Sequence, residues 1–270
     1  MIKQRRGSDL MEHPALIRKG IFSSDEARHA LGWSPSEVHP ILFRLVKKGR
    51  LVRIKRGLFC IQPLGTSRPG YSQNWLLIAS RLAGNKPYFI SYYSAMQLHG
   101  MTGESIQTIF ISRVEQHRPP QNLQMPIRFV TVPQKRFWGL EEKWATQEAK
   151  VWVSERERTI LDILDRPDLA GGISEIARGL WMVRKDIDSS KLIAYARRLD
   201  SYAAAKRLGF LMEKMEIGTA KEIEKLHDFI KNSSSYAFLD PTAEKTGRYF
   251  NRWHLRINQD MTLIEKNLMT

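Results

Sequence analysis

Between Ile21 and Ile61 the spacing of apolar positions changes in an order that predicts two short helices, a turn and a two-strand ribbon. Ser23 is followed three residues later by Glu26, so hydroxyl and carboxylate can each satisfy one of the orphan amides that open a helix. Ala27, Ala30 and Leu31 form its apolar side, and Gly32 can take the left-handed conformation that ends it. Ser34 caps the next helix, with Pro35 at the first helical position and Glu37 closing a second capping box. Val38, Ile41, Leu42, Leu45 and Val46 then recur every three to four residues as a buried stripe. Ser36, Glu37, His39, Pro40, Phe43, Arg44, Lys47 and Lys48 are left facing outward, and Gly49 ends the helix. Leu51 to Ile54 and Leu58 to Ile61 read as strands around a Lys55-Arg56-Gly57 turn. The succession is that of a winged helix-turn-helix, with the hairpin as the wing.

Downstream, Pro63 to Tyr71 carries Gly65, Thr66, Ser67, Pro69 and Gly70, a composition that favours a boundary loop. It separates an expected winged-helix domain at 1–65 from a larger domain at 72–270. In the latter, Asn74 to Leu82 and Ser91 to His99 read as helices, the second stopped by Gly100. Ile106 to Ser112, Ile127 to Val132 and Lys150 to Val153 are strand-like runs that predict a small mixed or antiparallel sheet. Glu155 to Asp165, Ile173 to Trp181, Ser189 to Leu199 and Ser201 to Glu216 carry helical periodicity. The predicted class is α+β: a winged helix, then a mixed α/β domain with a small sheet and several C-terminal helices.

Charge sharpens the first domain. The chain has 43 Lys and Arg against 28 Asp and Glu, a net charge of +15, which points to a polyanionic partner. Residues 1 to 65 hold 13 basic and 5 acidic side chains, so +8 sits in about a quarter of the length. A helix of this kind enters the major groove, about 12 Å wide, with its first turns at the base edges. Ser36, Glu37 and His39 are placed to read bases, while Arg44, Lys47 and Lys48 with Arg53, Lys55 and Arg56 on the wing are placed to clamp phosphates. Ser34 and Phe43 complete the expected DNA-contacting set. Lys3, Arg5 and Arg6 suit either a groove-touching arm or a frayed start without a partner.

Other chemistry is thinly represented. Gly171-Gly172 followed by Asp186-Ile187-Asp188 has the outline of a nucleotidyltransferase signature, in which two carboxylates hold a divalent metal. Asp188 also stands where the N-cap of the Ser189 helix belongs, which explains it more simply. The seven histidines never pair at ligand spacing, so neither a metal nor a cofactor is implied, and no catalytic residue is assigned. Cys60, the single cysteine, should pack as a small hydrophobe in a cytoplasmic protein without disulfides. No apolar run suits a membrane span and the start lacks a signal-peptide core. Arg197, Arg198, Lys206 and Arg207 fit a nucleic-acid surface or an ordinary solvated face equally well. Phe137, Trp138 and Trp144 suit core packing better than a stacking platform for single-stranded nucleic acid.

Beside the winged-helix segment stand Tyr88-Phe89-Ile90-Ser91, Tyr93-Ser94-Ala95, Ile109-Phe110-Ile111, Arg158-Thr159-Ile160-Leu161-Asp162 and Lys206-Arg207-Leu208-Gly209-Phe210-Leu211. With the late Pro241 and Arg252-Trp253-His254-Leu255, their order resembles the AbiEi antitoxins over most of the chain. The resemblance implies an antitoxin of a type IV toxin–antitoxin, abortive-infection system for phage defence. Such a protein pairs an N-terminal winged helix with a C-terminal antitoxin domain. It represses its own operon at inverted repeats in double-stranded DNA and counters a nucleotidyltransferase toxin without a stable complex between the two. The alternatives are an enzyme using Asp186 and Asp188, or a protein-interaction module without specific DNA binding.

Overall fold

The computed structural model describes residues 2–62, 75–105, 107–119 and 126–260, with side chains from Gly7 onward. The chain divides into two units. The first comprises Met1–Asn85, Arg118–Ile127 and Trp144–Ala149, and the second Lys86–His117, Arg128–Lys143 and Lys150–Thr270.

The first unit opens with α1 (Ile2–Glu12) and α2 (Pro14–Lys19), so Lys3, Arg5 and Arg6 fall in a helix and not in an extended arm. Leu10 and Leu16 are fully buried and anchor both helices to the core. Next come β1 (Ile21–Ser23), α3 (Ser24–Leu31) and α4 (Pro35–Lys47). β2 (Leu51–Lys55), β3 (Leu58–Ile61) and α5 (Trp75–Ala83) complete the regular elements. The expected capping box at α3 is present: Ser23 Oγ accepts from the Glu26 amide at 3.0 Å, and Glu26 accepts from the Ser23 amide at 2.7 Å. Gly32 takes the left-handed conformation at φ 66° and stops that helix.

β1 was not expected. Its three residues are too few to show alternation, and it exists because β3 offers a free edge: Ile21 faces Cys60, Phe22 faces Phe59 and Ser23 faces Leu58, antiparallel. The sheet order is β1-β3-β2, the helix-turn-helix with a hairpin that a winged helix requires. Val38, Ile41, Leu42 and Leu45 pack α4 against Phe22, Ala27, Leu51 and Phe59, as the periodicity predicts. Cys60 is buried in β3, and burial pushes its thiol up to about 11, so it behaves as a small apolar group. The boundary loop expected at Pro63 to Tyr71 lies outside the described residues.

The second unit begins with β4 (Tyr88–Ile90), α6 (Tyr92–Leu98) and β5 (Ile109–Arg113). β6 (Ile127–Thr131), β7 (Leu140–Trp144) and β8 (Lys150–Ser154) complete a five-stranded sheet ordered β6-β5-β4-β8-β7. It is mixed, since β4 runs antiparallel to β5 and parallel to β8. Helices follow as α7 (Arg156–Asp165), α8 (Gly172–Val183), α9 (Ser189–Leu199), α10 (Tyr202–Lys214) and α11 (Ala220–Ile230). Three short strands, β9 (Ala237–Phe238), β10 (Arg248–Phe250) and β11 (Leu255–Ile257), form a second sheet ordered β10-β11-β9.

α7 is the centre of this unit: every residue from Glu157 to Leu164 is buried. α10 is similar, and Gly209 on it meets the ring of Trp253, which a Cβ at that position would approach to 2.1 Å. Trp253 is itself fully buried and donates its indole N–H to Glu213 at 2.8 Å. Among the described residues no helix is long and apolar enough to cross a membrane.

Candidate nucleic-acid interface

α4 presents its polar stripe to solvent: Ser36, His39, Pro40, Phe43 and Lys47 are all exposed, and their spacing puts them along one side of the helix. Phe43 is 73% exposed, an unusual position for a large aromatic. Between α4 and the hairpin lies a groove of about 500 Å³, floored by Leu42, Val46 and Phe59 and rimmed by His39, Phe43, Arg53 and Arg56. Ser24 also reaches it, brought there by the pairing of β1 with β3. Neither Ser24 nor Phe59 carries a local signal for this place, because it depends on a strand too short to read.

The start of α4 is tied to itself. The Glu37 carboxylate accepts from the Ser34 amide and hydroxyl, each at 2.9 Å, and Ser34 Oγ lies 2.9 Å from Ser36 Oγ. Ser34 and Glu37, expected to contact DNA, therefore act here in helix initiation, while Ser36 and His39 stand exposed beyond them. Arg44 is half-buried, and Lys47, Lys48, Arg53, Lys55 and Arg56 are exposed. Among the described residues none of those five exposed cations has an ion pair. Other cations of the same unit are matched: Lys19 and Arg81 converge on Glu26 at 2.8 and 3.3 Å, and Arg28 meets Asp25 at 3.7 Å. Burial acts to raise the Glu26 carboxyl, but hydrogen bonds from Lys19 and the Ser23 amide hold it below its usual range. A cluster of five uncompensated cations thus lies on the C-terminal turn of α4 and on the hairpin.

The second unit treats its cations differently. Lys206 is 1% and Arg207 is 4% exposed, so the expectation of an accessible stripe with Arg197 and Arg198 fails at both. Lys206 Nζ donates to the Ser233 hydroxyl at 3.0 Å and the Ser235 carbonyl at 2.5 Å, and burial pulls its pKa down. Arg207 donates to the carbonyls of Leu164, Phe238 and Leu239 at 2.7 to 3.1 Å. Arg158 pairs with Asp162 at 2.9 Å and donates to the carbonyls of Arg136 and Trp138. Burial raises the Asp162 carboxyl to about 6, against the pull of Arg158.

The aromatic cluster also divides. Trp138 is buried between the guanidinium groups of Arg158 and Arg198, each 4.3 Å from its ring, and Phe137 packs edge-on to Phe89. Trp144 is exposed.

The acidic pair of the enzyme alternative is used in folding. Asp188 caps α9, accepting from the Lys191 amide at 2.9 Å, and Asp186 closes a 3₁₀ turn whose carbonyl accepts from Arg156 at 2.8 Å. Gly171 and Gly172 both have positive φ at the entry to α8, where the Ile173 amide donates to Asp240. Among the described residues no group of three or more His, Cys, Asp or Glu could hold a metal ion. His99 is buried with Nε2 donating to the Ser154 carbonyl at 2.7 Å, and burial holds its pKa down.

Over its whole length the chain is similar in fold to the crystal structure of the RV2827C protein from Mycobacterium tuberculosis. The match covers 99% of this chain and 94% of that one, with a TM-score of 0.69 and 16% identity. No curated protein matches the chain. Residues 14–62 match the model of a family described as transcriptional regulator, AbiEi antitoxin. That description supports a regulator role in a toxin–antitoxin system. The stretch that carries the helix-turn-helix and its hairpin is thus the stretch that the AbiEi-type regulator family matches.

Proposed function

We propose that this protein is a cytoplasmic, DNA-binding repressor that autoregulates a toxin–antitoxin operon and serves as the antitoxin to a nucleotidyltransferase toxin. One observation carries the DNA reading: Lys47, Lys48, Arg53, Lys55 and Arg56 lack acidic partners among the described residues and flank an exposed reader stripe. With α4 in a major groove, Ser36, His39 and Phe43 reach base edges, and the wing cations meet the adjoining phosphates. Repression follows from occlusion of the promoter by a protein seated on inverted repeats. The family description of residues 14–62 supports the antitoxin half of the proposal, and we assign that activity to the larger second unit, Lys86–His117, Arg128–Lys143 and Lys150–Thr270.

Fluorescence anisotropy tests the DNA half, using a duplex from the region upstream of the chain's own coding sequence, a shuffled duplex and a salt series. A preference of about a thousandfold or more at physiological salt is expected for a specific regulator. His39→Ala and Ser36→Ala should change which duplexes are preferred. Equal affinity for both duplexes that fades steeply with salt would refute specific regulation.

A further inference from the structure

The small C-terminal sheet has two faces of opposite character. Leu255 and Ile257 on β11 are buried, and Phe250 on β10 packs edge-on to Phe210 in the core. On the other face the register places Tyr249 opposite Arg256 and Arg256 opposite Phe238, one row across all three strands. The Arg256 guanidinium lies between the two rings, 5.1 Å from the centroid of Tyr249 and 4.9 Å from that of Phe238. Its Nε is covered and makes no hydrogen bond among the described residues, so stacking alone holds the group. Tyr236 extends the row, edge-on to Tyr249 at 4.9 Å, with its hydroxyl fixed by Asn251.

This row is accessible. Tyr249 is 62% exposed and Tyr236 38%, and Arg256 between Tyr249 and Phe238 has no ion pair among the described residues. A core aromatic would be covered, and the neighbouring Arg252 is matched by Glu213 and Glu224, whereas Arg256 has no carboxylate partner among the described residues. What fits an open aromatic face that holds an uncompensated guanidinium group is a ligand with flat, π-bearing groups on a polyanionic backbone. A duplex hides its base faces in the stack, whereas a single strand exposes them.

We propose that this sheet face binds single-stranded nucleic acid, with a base stacked on Tyr249 and a phosphate drawn to Arg256. The site lies in the second unit, on elements separate from α4 and its hairpin, and recognition by stacking makes it tolerant of sequence. The proposal does not depend on the duplex-reading proposal for the wing.

The test is anisotropy of the full chain with fluorescein-labelled oligouridylate and oligodeoxythymidylate, each in the presence of excess unlabelled duplex. Tyr249→Ala should weaken single-strand binding about tenfold or more while duplex binding stays unchanged, and Tyr249→Phe should retain it. Arg256→Gln, which removes the charge and keeps a planar group, should lower the salt slope by about 0.7. The two oligomers distinguish RNA from DNA as the preferred strand. No binding to either oligomer would overturn the proposal and leave the face to a protein partner. So would binding that survives Tyr249→Ala and Arg256→Gln, or binding lost only when Arg53 and Arg56 are replaced.

Discussion

Arginine and lysine do opposite work on the wing of the first unit and in the core of the second. On α4 and the wing, Lys47, Arg53, Lys55 and Arg56 stand in solvent without acidic partners among the described residues. In the second unit Arg158, Lys206 and Arg207 are almost completely buried, and each ends on carbonyls, a hydroxyl or a carboxylate inside the protein. The first group leaves its charge available to a polyanion. The second uses charge-assisted hydrogen bonds to join segments distant in sequence: Arg207 alone ties α10 to the end of α7 and to β9. A count of basic residues therefore overstates the surface available to nucleic acid, and the distribution of uncompensated charge is the better guide.

The comparison breaks most easily at Arg158. Its replacement by Ala leaves Asp162 and two carbonyls buried without their donor, and should cost about 3–5 kcal/mol in urea unfolding. A loss below about 1 kcal/mol would mean that water or a rearranged neighbour takes its place. Arg56→Ala on the wing should do the reverse. Stability is expected to stay within about 0.5 kcal/mol, while affinity for every duplex falls and the salt slope shrinks by about 0.9. Equal stability losses at Arg158 and Arg56 would erase the distinction between the two regions.

A smaller effect concerns acid. Glu222 accepts from the Thr219 amide and hydroxyl at the start of α11, and from Ser189 and Ser190 at the start of α9. The backbone hydrogen bond from Thr219 comes first among the causes that hold its carboxyl down to about 2. The folded state thus releases this proton more readily than the unfolded chain does. The resulting stability is complete above about pH 4.5 and is lost as pH falls toward 2. Glu222→Gln should flatten that part of the stability profile in acid unfolding, and an unchanged slope would show that these bonds are not maintained in solution.

The winged-helix region was legible because its signals are local. Two Ser-x-x-Glu starts, a glycine stop and one apolar stripe all lie within a few residues of what they specify. α11 was equally open to reading: Thr219 and Glu222 form a capping box ahead of Ile223, Leu226 and Ile230, and only the end of the predicted helical run at Glu216 hid it. β4 was not open in this way. Tyr88, Phe89 and Ile90 are all buried and show no alternation, and Ile90 pairs with Val153, far along the chain. The same limit explains Lys206 and Arg207. α10 is buried from Ala204 to Met212, so it has no polar face, and a reading that assigns charged residues to solvent fails where a helix is enclosed on every side. The exposed ring of Phe43 was expected from the helical stripe. The groove beside it was not, because it needs the fold of β1 against β3.

The contact of Gly209 with Trp253 carries a consequence for how this chain can vary. Any side chain at 209 would enter the space of the indole, so a change there is tolerated only if residue 253 shrinks as well. Gly209→Ala should therefore fail alone and recover in part with Trp253→Leu, although either change made first lowers fitness. Two positions far apart in sequence behave as a single heritable unit, and drift at one is blocked until the other has moved.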